Sequence, residues 1–167
     1  MPYIKQSMRP PYNALANTLI SEMMVNGNVS EALIKQISRT LAAEKLEDID
    51  GCLNYFITRL LKTLSLHKAP AAYSEPCAGY GTPLGDSMQA DVLEIEEALF
   101  KLFVDLYPRK YFHFNRAGGV LLWCRKEFER RYGSSCCSTI LTETADRLYR
   151  DPIGPYEDEK IKENGDV

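Results

Sequence analysis

Glu94-Ile-Glu-Glu97 and Glu143-Thr-Ala-Asp146 each set two carboxylates three residues apart, on one face of a helix. Facing one another across two helices, Glu94, Glu97, Glu143 and Asp146 would offer the hard oxygen ligands that Mg²⁺ takes. The competing reading of the same residues is two solvated helix faces. A second constellation is cationic. Glu127 stands three and four residues before Arg130 and Arg131, and Arg59 lies on an earlier helix. Convergence of those three guanidiniums would make a forked site for a phosphate or carboxylate, hence for a small anionic ligand such as a nucleotide or cyclic-nucleotide signal. Pairing of Glu127 with Arg131 along one helix is the plainer account. Asn54 with Thr58, and Tyr55 with Arg59, are each four apart and share faces. A buried asparagine must satisfy its amide, so Asn54 is expected in a helix–helix hydrogen-bond network. Gly118-Gly119 lies two turns before Glu127. Glycine inside a helix costs about 1 kcal/mol relative to alanine, so the pair predicts close approach by another backbone, with the third helix as the nearest candidate, or by a ligand.

Other chemistry finds no footing. The chain contains no G-x-S-x-G, no G-x-x-x-x-G-K-[ST] and no G-x-G-x-x-G. His67 and His113 do not neighbour a serine or cysteine nucleophile. Cys52, Cys77, Cys124, Cys136 and Cys137 lack C-x-x-C spacing and read as small apolar fillers rather than as a zinc or redox site. No cofactor is called for.

These residues sit on a helical pattern. Apolar positions recur every three to four residues over about 12–25, 30–41, 48–66, 86–107, 115–132 and 138–149. Pro10-Pro11 and Asn26-Gly27 bracket the first helix, Ser30 caps the second, and Pro108 stops the fourth. The third, with Ile49, Leu53, Ile57, Leu60, Leu61 and Leu64, is the clearest. Tyr111 to Phe114 is too short to weigh as a strand. His67 to Gly85 holds three prolines and three glycines without periodicity and reads as a long loop. The expectation is an all-α, single-domain bundle of five or six helices over residues 1–153, with a Pro/Gly-rich loop at 67–85. Residues 154–167 follow as a charged C-terminal arm, one short helix opened by Pro155 and closed by Asn164-Gly165.

The 167 residues carry 20 basic and 23 acidic side chains, a net charge of −3. That balance, with no basic recognition helix, argues against nucleic acid as a partner. The longest apolar run, Val120 to Cys124, is far below the roughly 20 residues of a membrane span. With no apolar segment near Met1, the expected location is the cytoplasm.

Several blocks resemble a family of short uncharacterised bacterial and bacteriophage proteins. They are Met1-Pro-Tyr-Ile-Lys-Gln6, Leu53-Asn-Tyr55 with Ile57-Thr-Arg59, Glu127-Phe-Glu-Arg-Arg131, and Pro155-Tyr-Glu-Asp-Glu-Lys-Ile161 with Glu163-Asn-Gly-Asp-Val167. On that resemblance, 67–114 and 134–153 are additions around a smaller common unit. It implies that Asn54, Tyr55, Arg59, Glu127, Arg130, Arg131 and the tail belong to one shared feature. The acidic pairs are separately similar to the ExxE and ExxD of MazG-type nucleotide pyrophosphohydrolases, although their separation is longer and the leading double glutamate is missing. The favoured expectation is a non-enzymatic helical binding or assembly protein, homo-oligomeric, whose tail docks on the third and fifth helices. In the same subunit or a neighbour, Glu157, Asp158 and Glu159, with Tyr156 beside them in the interface, would then face Arg59, Arg130 and Arg131 through charge complementarity. A Mg²⁺-dependent pyrophosphohydrolase is the enzymatic alternative.

Overall fold

The computed structural model describes residues 4–67, 86–132 and 136–165. They form α1 (Arg9–Asn26), α2 (Glu31–Ala42), α3 (Leu46–His67), α4 (Asp86–Leu106), α5 (Tyr111–Tyr132), α6 (Cys136–Leu148) and α7 (Gly154–Asn164). A 3₁₀ turn at Gln6–Met8 leads into α1, and a π-helical turn at Tyr149–Ile153 joins α6 to α7. The architecture is all-α: α1 to α6 make the bundle, α7 continues from it, and no strand occurs among the described residues. Nor, among them, is any helix long and apolar enough to cross a membrane. The loop expected at 67–85 lies outside the described residues, apart from His67 at the end of α3.

Local chemistry sets most boundaries. α1 starts at Arg9 and takes Pro10 and Pro11 into its first turn, where a missing N–H costs nothing. It ends at Gly27, whose φ of 71° is left-handed and whose N–H donates to the Met23 carbonyl at 2.8 Å. Ser30 caps α2 by accepting from the Leu33 N–H at 3.3 Å. The intervening turn is tied to α4, where the Glu94 carboxylate accepts from the Val29 N–H at 2.7 Å.

α5 begins at Tyr111, earlier than its apolar periodicity indicated. Pro108 ends the preceding helix, and the Lys110 carbonyl then accepts from the His113 and Phe114 N–H groups, so the aromatic run becomes the first turn of α5. The boundary expected at 153/154 is not a break. Pro152 has no N–H to give the α-helical pattern, and the wider turn, with the Gly154 N–H on the Tyr149 carbonyl, carries the chain past it.

α3 is the centre of the core. Cys52, Leu53, Phe56, Ile57, Leu60 and Leu61 are wholly buried. α1 and α5 pack on it; α4 pairs with α6 and α2, and α5 also meets α6. Cys52, Cys124 and Cys137 are free thiols in this core. Burial pushes the Cys124 thiol far above its ordinary range, so it is unreactive filler. Among the buried cysteines, Cys124 and Cys137 point their thiols at the Asn54 and Leu61 carbonyls of α3.

A cavity at the centre is far more damaging than one at the rim. Leu60→Ala is expected to cost about 2–5 kcal/mol. Leu122→Ala, at a position 49% exposed, should stay within about 0.5 kcal/mol. Urea unfolding followed by circular dichroism measures both.

Candidate functional site

Asp50 of α3, Tyr107 at the end of α4 and Arg116 of α5 form a clamp. Arg116 donates from Nε to Asp50 Oδ2 at 2.9 Å and from Nη2 to Oδ1 at 2.8 Å, and the Tyr107 hydroxyl donates to the same Oδ1 at 2.8 Å. The guanidinium also lies 5.8 Å and 5.6 Å from the Tyr107 and Phe112 rings. Burial first, then its bond to Asp50, pushes the Tyr107 hydroxyl far above its ordinary range, so it is a fixed donor.

Beside the clamp, α3 and α5 leave a groove of about 490 Å³, lined by Asp48, Asp50, Gly51, Asn54, Arg116, Gly119, Val120 and Trp123. It continues into a pocket of about 150 Å³ lined by Asn54, Trp123, Lys126, Glu127 and Arg130. Trp123 is 61% exposed, with Lys126 Nζ 5.5 Å from its ring centroid. Asn54 is 6% exposed. It lines both spaces, and its side-chain amide has no hydrogen-bond partner among the described residues. The Thr58 hydroxyl is buried without one among the described residues. The network expected around Asn54 is therefore absent; the groove, not another helix, faces this residue.

At the far end, Arg130 donates from Nε and Nη2 to the two Glu127 carboxylate oxygens at 3.0 and 2.9 Å, and Arg131 pairs with Glu127 as well. Arg130 chiefly, with Arg131 contributing, holds the Glu127 carboxyl well below its ordinary value. Among the described residues, the acids and bases lining the two spaces balance: Asp48, Asp50 and Glu127 against Arg116, Lys126 and Arg130.

The structure thus brings Asn54, Glu127 and Arg130 together, but not the rest of the expected set. Tyr55 turns to α1, donating to Asn13 Oδ1 at 2.9 Å with Arg9 5.6 Å over its ring. Arg59 lines neither space, makes no ion pair among the described residues, and buries an Nε with no partner. The acidic arm also lies elsewhere in this chain. Tyr156 meets Phe114 edge-to-face at 5.4 Å, Glu159 approaches Arg109 at 4.0 Å, and Glu157 accepts from the Tyr149 hydroxyl at 3.4 Å. These contacts belong to the N-terminal end of α5, whereas Arg130 and Arg131 sit at its C-terminal end. The reason is local: Glu127 already answers both arginines at helical spacing.

The four acids proposed for Mg²⁺ are also dispersed. Glu94 caps the α1–α2 turn. Glu97 is held by Arg147 of α6 and by Lys101 at 3.1 Å. Glu143 and Asp146 are exposed. The α4–α6 interface has the Arg147 guanidinium where a cation was expected, stacked 3.9 Å from the Phe100 ring. No three His, Cys, Asp or Glu residues gather as a metal site among the described residues.

Gly118 and Gly119 bear differently on the site than their cost suggested. An ideal Cβ at either would meet nothing within 4 Å. Neither packs against another backbone among the described residues: Gly118 is exposed on the outer side of α5, and Gly119 lines the edge of the α3–α5 groove. Asp50, Arg116, Trp123 and Lys126 escaped the sequence reading. A lone tryptophan between the glycine pair and a lysine was the available signal; the clamp had none, because Asp50 lies 57 residues from Tyr107 and 66 from Arg116.

The chain matches no family model, no curated protein and no solved structure.

Neighbouring glutamates of α4 titrate in opposite senses. Arg147 chiefly, and Lys101, lower Glu97 from 4.5. Burial chiefly, then Glu143, raises Glu96. Glu97 therefore stabilises the fold above the ordinary carboxylate range, and that contribution is lost as pH falls through its lowered value. Glu96 favours the fold at lower pH, an effect lost as pH rises through its raised value. Carboxyl-detected NMR titration should show this split, and Arg147→Gln should return Glu97 toward 4.5 while leaving Glu96 raised. Replacing both glycines by alanine adds no clash, so Gly118→Ala with Gly119→Ala should stabilise the monomer by about 1 kcal/mol each, read as a higher melting temperature in dilute solution.

Proposed function

We propose that the protein is a non-enzymatic assembly protein that self-associates through the outer face of α5. The observation carrying this reading is the Gly118-Gly119 pair, open on its outer side, between Tyr111 and Phe112 (62% and 63% exposed) and Leu122 (49% exposed). Tyr111, Asn115, Gly118, Leu122 and Lys126 recur at helical spacing, so one stripe of α5 is aromatic at one end, flat in the middle and cationic at the other. Inside the chain the two glycines cost helix stability with no packing in return. Against a second helix they allow the axes to approach closely, since interaxial distance is set by the side chains at the crossing.

A second copy is the occupant that this stripe fits. Crossing antiparallel at the glycines, Tyr111 of one copy falls opposite Lys126 of the other, and Asn115 opposite Leu122. The ends then meet as cation and aromatic ring, and the same patch serves both subunits, as a two-fold interface requires. Parallel pairing would set Lys126 against Lys126 and forfeit both contacts. The resemblance of its motifs to bacterial and bacteriophage proteins supports a cytoplasmic setting for such an assembly. Pairing of the acidic arm with Arg130 and Arg131 is not part of this reading, because Glu127 engages them.

Light scattering after size exclusion tests it. The expected result is a species of twice the 19.0 kDa chain mass at tens of micromolar, with Gly118→Leu weakening association at least tenfold at unchanged helicity. A monomer throughout, or a dimer indifferent to Gly118→Leu and Leu122→Asp, overturns the proposal.

A further inference from the structure

The α3 flank of α5 carries a second feature that the assembly reading does not use. Asn54 is nine-tenths buried as a residue, and its amide, which makes no hydrogen bond among the described residues, opens on the groove. An amide so placed has two donors and an acceptor to satisfy, and leaving them unmade is costly. Water in an open groove relieves part of that cost, but a ligand edge with a donor beside an acceptor relieves it with both bonds in register. Such edges belong to amides and to nucleobases, which asparagine reads bidentately. Trp123 lines the same two spaces with an exposed indole, the kind of surface on which a base stacks.

Charge narrows the class further. Arg116 is engaged by Asp50 and Arg130 by Glu127. Among the described lining residues acids and bases are equal in number, so these residues supply no surplus of cation for a phosphate. Asp48, by contrast, makes no ion pair among the described residues, and a carboxylate in such a groove is a hydrogen-bond acceptor for sugar hydroxyls. The groove volume of about 490 Å³ lies within the range of small-ligand sites, roughly 300–1,000 Å³.

We infer that the α3–α5 groove binds an uncharged nucleoside, its base stacked on Trp123 and read by Asn54, with its sugar toward Asp48. This revises the anionic ligand expected at the arginines, and it stands apart from self-association.

Trp123 is the chain's single tryptophan, so its fluorescence reports this site. Full-length protein is titrated with adenosine, guanosine, cytidine and uridine, and with the matching 5′-monophosphates, with calorimetry in parallel. Saturable quenching by at least one nucleoside is expected, with no tighter binding of its monophosphate. Asn54→Leu should weaken binding at least tenfold, and Asp48→Asn about threefold or more, the latter at a position whose change leaves the core untouched. Gly118→Leu, which tests the assembly reading, should leave nucleoside affinity within twofold. No saturable signal with any nucleoside by either method overturns the inference. So does tighter binding of a monophosphate, or affinity that neither Asn54→Leu nor Asp48→Asn changes.

Discussion

The contact on which the functional face depends is the ion pair between Arg116 and Asp50, with Tyr107 donating to the same carboxylate. It joins three helices at one point: the start of α3, the end of α4 and the first turns of α5. The Arg116 side chain is 14% exposed, and a charge that far from water is tolerable only with its partner and correct geometry in place. The bidentate fork and the phenol provide both. Their effect is to fix where α5 lies on α3 at its N-terminal end, while Cys124 and Phe128 fill the interface further along. Between clamp and core the two helices do not close, and the groove is what remains.

α3 explains why α5 has a bare side at all. Being buried over most of its circumference, α3 needs neighbours all round, and α5 is one of them. α5 itself gives one side to α3 and another to α6. Among the described residues, no element covers its remaining arc, where Tyr111, Phe112, Leu122 and Trp123 stand exposed. Single exposed apolar residues are ordinary on a protein surface; four on one helix with two glycines between them are not.

The helices were legible in the sequence because apolar periodicity is a property of short windows. α3 and α4 show it over five turns, and the stops at Gly27 and Pro108 act through local backbone chemistry. What escaped was decided by distant partners. The first turn of α5 looked like a short aromatic run, since nothing nearby reveals that the Lys110 carbonyl will accept two N–H groups. The π turn at Pro152 replaced an expected junction, because a proline can be passed by widening the helix rather than ending it. Asn54 is buried as expected, but without the helix–helix network expected around it. Its type and spacing marked it as buried and polar, but whether helix or groove faced it depended on how α5 lies 70 residues on. Glu97 and Arg147 show the same limit, since a carboxylate on a helix face reads identically whether a metal or a guanidinium sits opposite.

Charge bookkeeping within the chain reverses the role expected of the arm. The near-neutral total does conceal complementarity, yet Arg130 and Arg131 spend theirs on Glu127 within one helix, and the long-range pairs are Asp50–Arg116, Glu97–Arg147 and Arg109–Glu159. α7 exposes charge along most of its length, with Ile161 its one large exposed apolar residue among those described. Since association draws chiefly on apolar area removed from water, at about 25 cal/mol per Å², α7 has little to offer a partner and α5 has much. Tyr156 on Phe114 instead makes α7 a buttress under the first turns of α5. It braces the inner side of the helix at the end where Tyr111 and Phe112 face outward, and so steadies the aromatic end of the surface that remains open.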